Sequence, residues 1–439
     1  MIFSSIEFIV FWIFAVILSR IKIINSTFFI GIVGILFYSF QGYLNFLILF
    51  YVYLICCISV FHKKFLFFHI FLILLPLILI KYSSFILVDI FRIEQNFRFI
   101  YSLEIPPGLS FISFSAIALI LYLKNNSESN STKLSYLFFF PQLIAGPIVE
   151  PKSLIPQLKN KFVGSIDEIL KGIFIFSIGI TLKILFADNI GEYIDPIFLN
   201  LEQYNLNQKI IAIFLFSQQI FFDFNGYTLM AIGVGVTLGV RLPENFNAPY
   251  LSESISDFWK KWHITLSNWI KNYVYIPLGG SRKGITKGYI NIFFSMLISG
   301  IWHGAGINFL IWGGCHGLII VLEKMFLKRF LSISPIFLRI IYSYLTVSFL
   351  WLFFRLRDFT EVMEFFNNNG DKIINLNLII VIIFIFILNW FQKYITFDRL
   401  SNFYITKNKY VIIPISIILI IACSIISKGT SEKFIYFNF

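Results

Sequence analysis

The stretch NIFFSMLISGIWHGAGINFLIWGGCHGLIIVL, residues 291–322, holds two apolar runs joined through HGAG. With the residues just before it, the runs cover 289–302 and 307–322. His303 interrupts this apolar helical pattern, and ionisable side chains at membrane depth are costly and usually functional. Gly304 and Gly306 follow it, where they would break the helix and permit close approach of a substrate. The competing reading is a packed histidine in a kinked helix. His316 lies about 3.6 turns further along the same helical pattern, which puts it on a different part of the helix surface and favours a structural role.

The apolar character extends over the whole chain. Of 439 residues, 58% are hydrophobic and 13% charged, and Phe alone contributes 56; the mean hydropathy is +0.82. About a quarter of an ordinary soluble chain is charged, so the bilayer is the solvent here. Further apolar spans fall near residues 2–19, 27–40, 44–61, 65–80, 109–123, 169–187, 210–240, 337–354, 376–391 and 411–427. Several are shorter than a full crossing, which gives an all-α, polytopic integral membrane protein with about eleven transmembrane helices. The run starting at residue 2 reads as a retained transmembrane helix and not as a removable signal. Residues 134–149 contain Pro and Gly and read as a segment that enters and returns on one side, so its backbone must be buried in protein or line a cavity.

The net charge of +12 resides in connectors between apolar runs and sets orientation instead of marking a nucleic-acid partner. It places the N-terminus outside and the basic connectors in the cytosol. The longest polar interruption, residues 241–288, then faces the cytosol and mixes Trp and Tyr with Lys and Arg, the composition of helices lying in the headgroup layer. There is no convincing internal repeat, and KNNSESNSTK (124–133) is a short polar loop. One membrane domain over 1–439, with its motif core at 138–322, is the simplest division.

Several chemistries drop out. No G-x-S-x-G elbow is present, and GGSRKGITKG lacks the P-loop pattern. Cys56, Cys57, Cys315 and Cys423 lie in apolar stretches without metal-ligand spacing, so no metal or bound cofactor is expected. His62 and His69 read as interfacial or packed. The glycines of GVGVTLG, Gly233 to Gly239, serve helix packing. A neutral imidazole in a low-dielectric site remains, able to take a proton from a hydroxyl that attacks a thioester directly. A transporter or flippase is the alternative from another class; the inverted repeats and paired intramembrane charges typical of one are not evident in the sequence.

Four blocks carry a resemblance: FPQLIAGPIVEP (140–151), FFDFNGYTLMAIGVG (221–235), LPENFNAPYLSESISDFWKKWHITLSNWIKNYVYIPLGG (242–280) and SGIWHGAGINFLIWGGCHG (299–317). Together they resemble the membrane-bound O-acyltransferase (MBOAT) family, in its bacterial alginate and polysaccharide O-acetylation branch, and the terminal FIYFNF is similar to that branch's ending. The resemblance implies tilted helices around a thin central region pierced by a tunnel. It implies that His303 is the catalytic histidine and His263 a second, less universal one, with Asp223, Asn247, Trp302, Gly304 and Gly306 supporting or lining the tunnel. It further implies an acyl thioester donor, acetyl-CoA or another, reaching the site from the cytosol, where Lys260, Lys261, Lys271, Arg282 and Lys283 could attract its anionic part. The acceptor would be a hydroxyl of an exported or cell-wall polysaccharide. An extracytoplasmic esterase-like acetyltransferase is the expected partner, and the bacterial cytoplasmic (inner) membrane the expected location. The related teichoic acid D-alanylation branch is the nearest alternative, and PLGG at 277–280 favours acetyl transfer.

Overall fold

The structure is a computed structural model that describes residues 2–20, 26–92, 105–160, 165–368, 370, 378–430 and 435. The terminal FIYFNF lies outside the described residues apart from Ile435. Regular structure among the described residues is entirely helical, as expected where every backbone N–H must be satisfied within its own segment. Six helices are long and apolar enough to cross a membrane, or up to seven if the pair Ile380–Tyr394 and Phe397–Thr406, bent by 69°, counts as one. Ile6–Ser19, Ser26–Ser39, Tyr43–Ser59 and Leu109–Leu123 are apolar but shorter. Length and composition therefore support six or seven crossings and do not establish the expected eleven. Phe67 is 86% exposed and Phe61 82%, and such rings on an outer surface suit lipid, not water.

The described chain forms two compact units. The first comprises Met1–Thr181, Gly226–Pro243 and Phe403–Asn438. Its core is aromatic: Phe3 stacks on Tyr227 with centroids 4.7 Å apart, and Phe8 lies 6.2 Å from Phe176. Helix Ile166–Thr181 crosses α1 (Leu206–Thr237) backbone to backbone. A Cβ added to Gly233 would stand 2.6 Å from the Gly172 carbonyl oxygen, and one added to Gly179 would stand 2.6 Å from the Gly226 oxygen. Small residues allow this approach, as in membrane helix pairs generally, so Gly233 of GVGVTLG serves packing as read. Residues 138–149 are buried. The non-helical part of this segment is held by Tyr136, which donates its hydroxyl to the Val149 carbonyl at 2.7 Å. Helix Asn130–Leu137 begins inside the polar loop assigned to 124–133.

The second unit comprises Leu182–Asn225 and Glu244–Asn402, with Phe439. Its elements are α2 (Ile255–Lys261), α3 (Ile264–Ile270), α4 (Ile285–His303), α5 (Ile307–Leu322) and α6 (Ile336–Arg355), with others around them. The apolar pattern of 289–322 is two helices, since α4 ends at His303 and α5 starts at Ile307. They pack through glycines: a Cβ on Gly313 would meet the Met296 carbonyl oxygen at 2.5 Å and the Gly300 Cα at 3.0 Å.

Paired charges, absent from the sequence reading, are present. Lys183 lies 2.5 Å from Asp188 and 2.9 Å from Asp223, and all three are buried. Lys183 and Asp188 are five residues apart within a π-helical turn, Leu182–Asp188, whose i→i+5 pitch brings them together. The pairing escaped detection because Asp223 is distant in sequence.

Candidate active site

His263 sits between α2 and α3 with φ 42° and ψ 53°, a left-handed conformation that costs roughly 1 kcal/mol for a residue with a Cβ. Neighbouring hydrogen bonds hold it there. Asn247 donates its N–H to the Lys261 carbonyl at 3.0 Å, and Ile264 donates to the Asn245 carbonyl at 3.0 Å. The Asn245 side-chain oxygen accepts the Thr265 backbone N–H at 3.1 Å and the Thr265 hydroxyl at 2.8 Å. His263 Nδ1 faces that same oxygen at 3.2 Å. A backbone N–H can only donate, so the oxygen is identified, and Nδ1 must carry the proton. In neutral His263 the lone pair is therefore on Nε2. Burial pushes this imidazole down to about 3, so it is uncharged at neutral pH.

His303, the last residue of α4, is 3% exposed. Rings close around it: Trp302 at 4.9 Å between centroids, Trp312 at 5.0 Å, Phe354 at 5.3 Å and His263 at 6.4 Å. Phe224 stands edge-on to His263 at 4.7 Å, next in sequence to the ion-paired Asp223. The site thus offers two imidazoles in an apolar enclosure, where a proton acceptor is not screened by water.

Gly304 continues from His303 in extended conformation, and a Cβ there would stand 2.0 Å from the Phe309 ring. Phe309, not open space, occupies this position. At Gly306 a Cβ would meet only Phe309, at 3.8 Å. Asn247 is exposed, whereas Asn245, two residues earlier in the same motif, makes the contact with His263.

The angle of about 3.6 turns counted from His303 to His316 does not carry across the two apolar runs, because the break at 304–306 folds α5 back along α4. His316 returns to the histidine site through Trp312, whose ring lies 4.9 Å from it. Trp259 of α2 donates its indole N–H to His316 Nδ1 at 3.2 Å. The position of α2 is fixed in turn by Glu323, which accepts the Ile255 and Ser256 N–H groups at 2.6 and 3.0 Å.

A cavity of about 310 Å³ is lined by Ser256, Trp259, Lys260, Lys271, Ser299 and Lys324, among others. Its wall reaches Ser299, one turn before His303 on α4, and Ile320, one turn after His316 on α5. Of the five cations singled out in the sequence, Lys260 and Lys271 line it. Lys261 instead pairs with Asp257 at 2.6 Å, and Arg282 and Lys283 are exposed. Asn245, Trp312 and Lys324 were not singled out by sequence reasoning. The motif blocks contained the first two, but no spacing rule distinguished them.

A helical membrane chain with an enclosed histidine pair defines the class. The chain belongs to the membrane-bound O-acyltransferase family, whose model matches residues 123–361. It is 34% identical over 317 residues to the peptidoglycan O-acetyltransferase of Helicobacter pylori, covering 65% of this chain and 60% of that one. It is 36% identical over 224 residues to the probable alginate O-acetylase AlgI of Pseudomonas aeruginosa, covering 50% and 43%. It is 27% identical over 237 residues to the teichoic acid D-alanyltransferase of Bacillus subtilis, covering 50% and 59%. The chain thus spans between 43% and 60% of the length of these relatives.

Proposed function

We propose that the protein is an O-acyltransferase that moves an acetyl group from a cytosolic thioester toward a hydroxyl acceptor, for O-acetylation of an exported or cell-wall polysaccharide. The observation that carries this is His303, buried among rings and 6.4 Å from His263, one helical turn from a lysine-bearing cavity. A ring nitrogen of His303 takes the proton from the attacking hydroxyl. The hydroxyl oxygen bonds to the thioester carbon, the carbonyl becomes an oxyanion, and the tetrahedral species collapses as the C–S bond breaks. The departing thiolate takes the proton from His303, leaving an ester and a free thiol.

His263, neutral with its lone pair on Nε2, supports the reaction by accepting a hydrogen bond from a second hydroxyl of the acceptor sugar and so orienting it. Lys260, Lys271 and Lys324 suit the phosphates of acetyl-CoA. No bound cofactor takes part. The identity to acetyltransferases supports acetyl over D-alanyl transfer. We place the protein in the bacterial inner membrane, working with an extracytoplasmic acetyltransferase that completes transfer to the polymer.

The test is transfer of labelled acetyl from acetyl-CoA in proteoliposomes, with peptidoglycan fragments or alginate oligosaccharides as acceptor. Wild-type protein should release CoA thiol, and His303→Ala should not; labelling of the sugar is expected only when the extracytoplasmic partner is supplied. Equal release by both would refute the reading.

A further inference from the structure

The acyl-transfer mechanism needs hydrogen-bond donors for the oxyanion, and His263 does not supply one. Its Nδ1–H is committed to Asn245, and its Nε2 is an acceptor in the neutral ring. Helix α5, which meets the His303 ring through Trp312 at 5.0 Å between centroids, carries two ring N–H groups of the required kind. Trp312 and His316 are four residues apart and therefore on one helix face, and both are 0% exposed. Neither Trp312 Nε1 nor His316 Nε2 has a hydrogen-bond partner among the described residues.

The tautomer of His316 follows from its other nitrogen. Trp259 Nε1–H donates to His316 Nδ1 at 3.2 Å, and an indole N–H can only donate. Nδ1 therefore carries the lone pair, and the proton of neutral His316 is on Nε2. The same bond disfavours the imidazolium, whose Nδ1–H would oppose the indole N–H. His316 is thus built as a neutral donor. Its edge-on contact with the Trp312 ring at 4.9 Å offers at most a weak N–H···π interaction.

Two buried donors without oxygen partners beside the proposed base lose hydration and gain little within the protein. They also follow the cavity wall along the helices. The cavity wall at Ile320 continues one turn to His316 and a second to Trp312, while the wall at Ser299 continues one turn to His303. We propose that Trp312 Nε1–H and His316 Nε2–H receive the thioester carbonyl oxygen and stabilise the oxyanion as the acceptor hydroxyl attacks. The atoms balance as in the transfer above: the carbonyl π pair moves to oxygen under these two N–H groups and returns when the C–S bond breaks. Both residues are then catalytic, and Trp259 is a positioning residue that selects the His316 tautomer. This inference rests on the acyl-transfer reading.

The experiment measures CoA thiol release from acetyl-CoA in proteoliposomes carrying full-length wild-type, His303→Ala, His316→Asn, His316→Gln and Trp312→Phe proteins. Thermal unfolding in detergent is followed alongside. His316→Asn can keep an acceptor for Trp259 but lacks a donor at the ε position, whereas His316→Gln restores one. Removing one such donor lowers kcat by about 10²- to 10³-fold in well-studied oxyanion sites. The expected result is a loss of that size in kcat for His316→Asn, with KM little changed and unfolding near wild type. His316→Gln should recover at least about a tenth of the wild-type rate, and Trp312→Phe should lose kcat without losing the ring. Wild-type kcat in folded His316→Asn and Trp312→Phe, with His303→Ala inactive, overturns this assignment alone. A rate unaffected by His303→Ala overturns the acyl-transfer reading and this inference with it.

Discussion

Substituting Gly313 by Ala tests whether the α4–α5 crossing sets the geometry at His303. The new methyl would stand 2.5 Å from the Met296 carbonyl oxygen and 3.0 Å from the Gly300 Cα. Both neighbours are backbone, so neither can swing aside as a side-chain tip could. Ordinary contact starts at 3.4 Å, so the helices must separate locally by about 0.9 Å, the shortfall against the Met296 oxygen. Overpacking of this kind costs about 1–3 kcal/mol. His303 is on α4 and Trp312 on α5, so the separation appears directly between them, and a misplacement of about 1 Å costs on the order of 10²-fold in rate. The adjacent Gly314→Ala is the control, since its Cβ would meet Leu297 at 3.8 Å and Phe293 at 3.9 Å. Acetyl transfer in proteoliposomes and thermal unfolding in detergent would be measured for both variants. Gly313→Ala should lower both readings, and Gly314→Ala neither. A Gly313→Ala protein with wild-type rate and unfolding temperature would show that the crossing does not position the histidine.

His303→Ala should reduce transfer by about 10²- to 10⁴-fold, the usual worth of general-base assistance, while membrane insertion measured by carbonate extraction is unchanged. Gly304→Ala, whose methyl collides with the Phe309 ring, should destabilise the protein in a detergent melt, whereas Gly306→Ala should not. Burial lowers the His263 pKa from 6.5 to about 3, so the folded protein excludes a proton that the unfolded chain binds. Stability from this site is complete above pH 6.5 and declines as pH falls toward 3, by about 1.4 kcal/mol per pH unit. Unfolding midpoints across that range should show less acid sensitivity in His263→Gln. Lys183→Met leaves two buried carboxylates without their cation and should cost about 3–5 kcal/mol, partly recovered by adding Asp223→Asn, as read by urea unfolding in micelles.

The membrane class was legible because 58% hydrophobic composition leaves no alternative solvent. His303 stood out because an ionisable group breaks an apolar run, a local signal. The approach of His263 to His303 is tertiary, and only motif resemblance pointed to it. Between Asn245 and Asn247 nothing local decides, because the contact depends on how residues 245–247 pair with residues 261–265. The angular placement of His316 does not hold for a definite reason: helical angles accumulate only along an unbroken helix, and Gly304–Ala305–Gly306 resets them. The positions of Lys183 and Asp188 hid their pairing, since five residues is the repeat of a π turn and not of an α-helix.

The Lys183 triad bears on how the chain enters the bilayer during synthesis. A lone Lys or Asp at the centre of an inserting helix costs about 2.5–3.5 kcal/mol on translocon scales. Lys183 and Asp188 leave the ribosome before Asp223, and the π turn lets them neutralise each other inside one segment, 166–199. That segment can partition laterally as a neutral unit without waiting for its later partner. Asp223 arrives afterwards in its own helix as a surplus carboxylate, and the preformed lysine site is its destination. The order of the charges along the chain thereby gives membrane integration a direction, from the N-terminal pair to the C-terminal carboxylate.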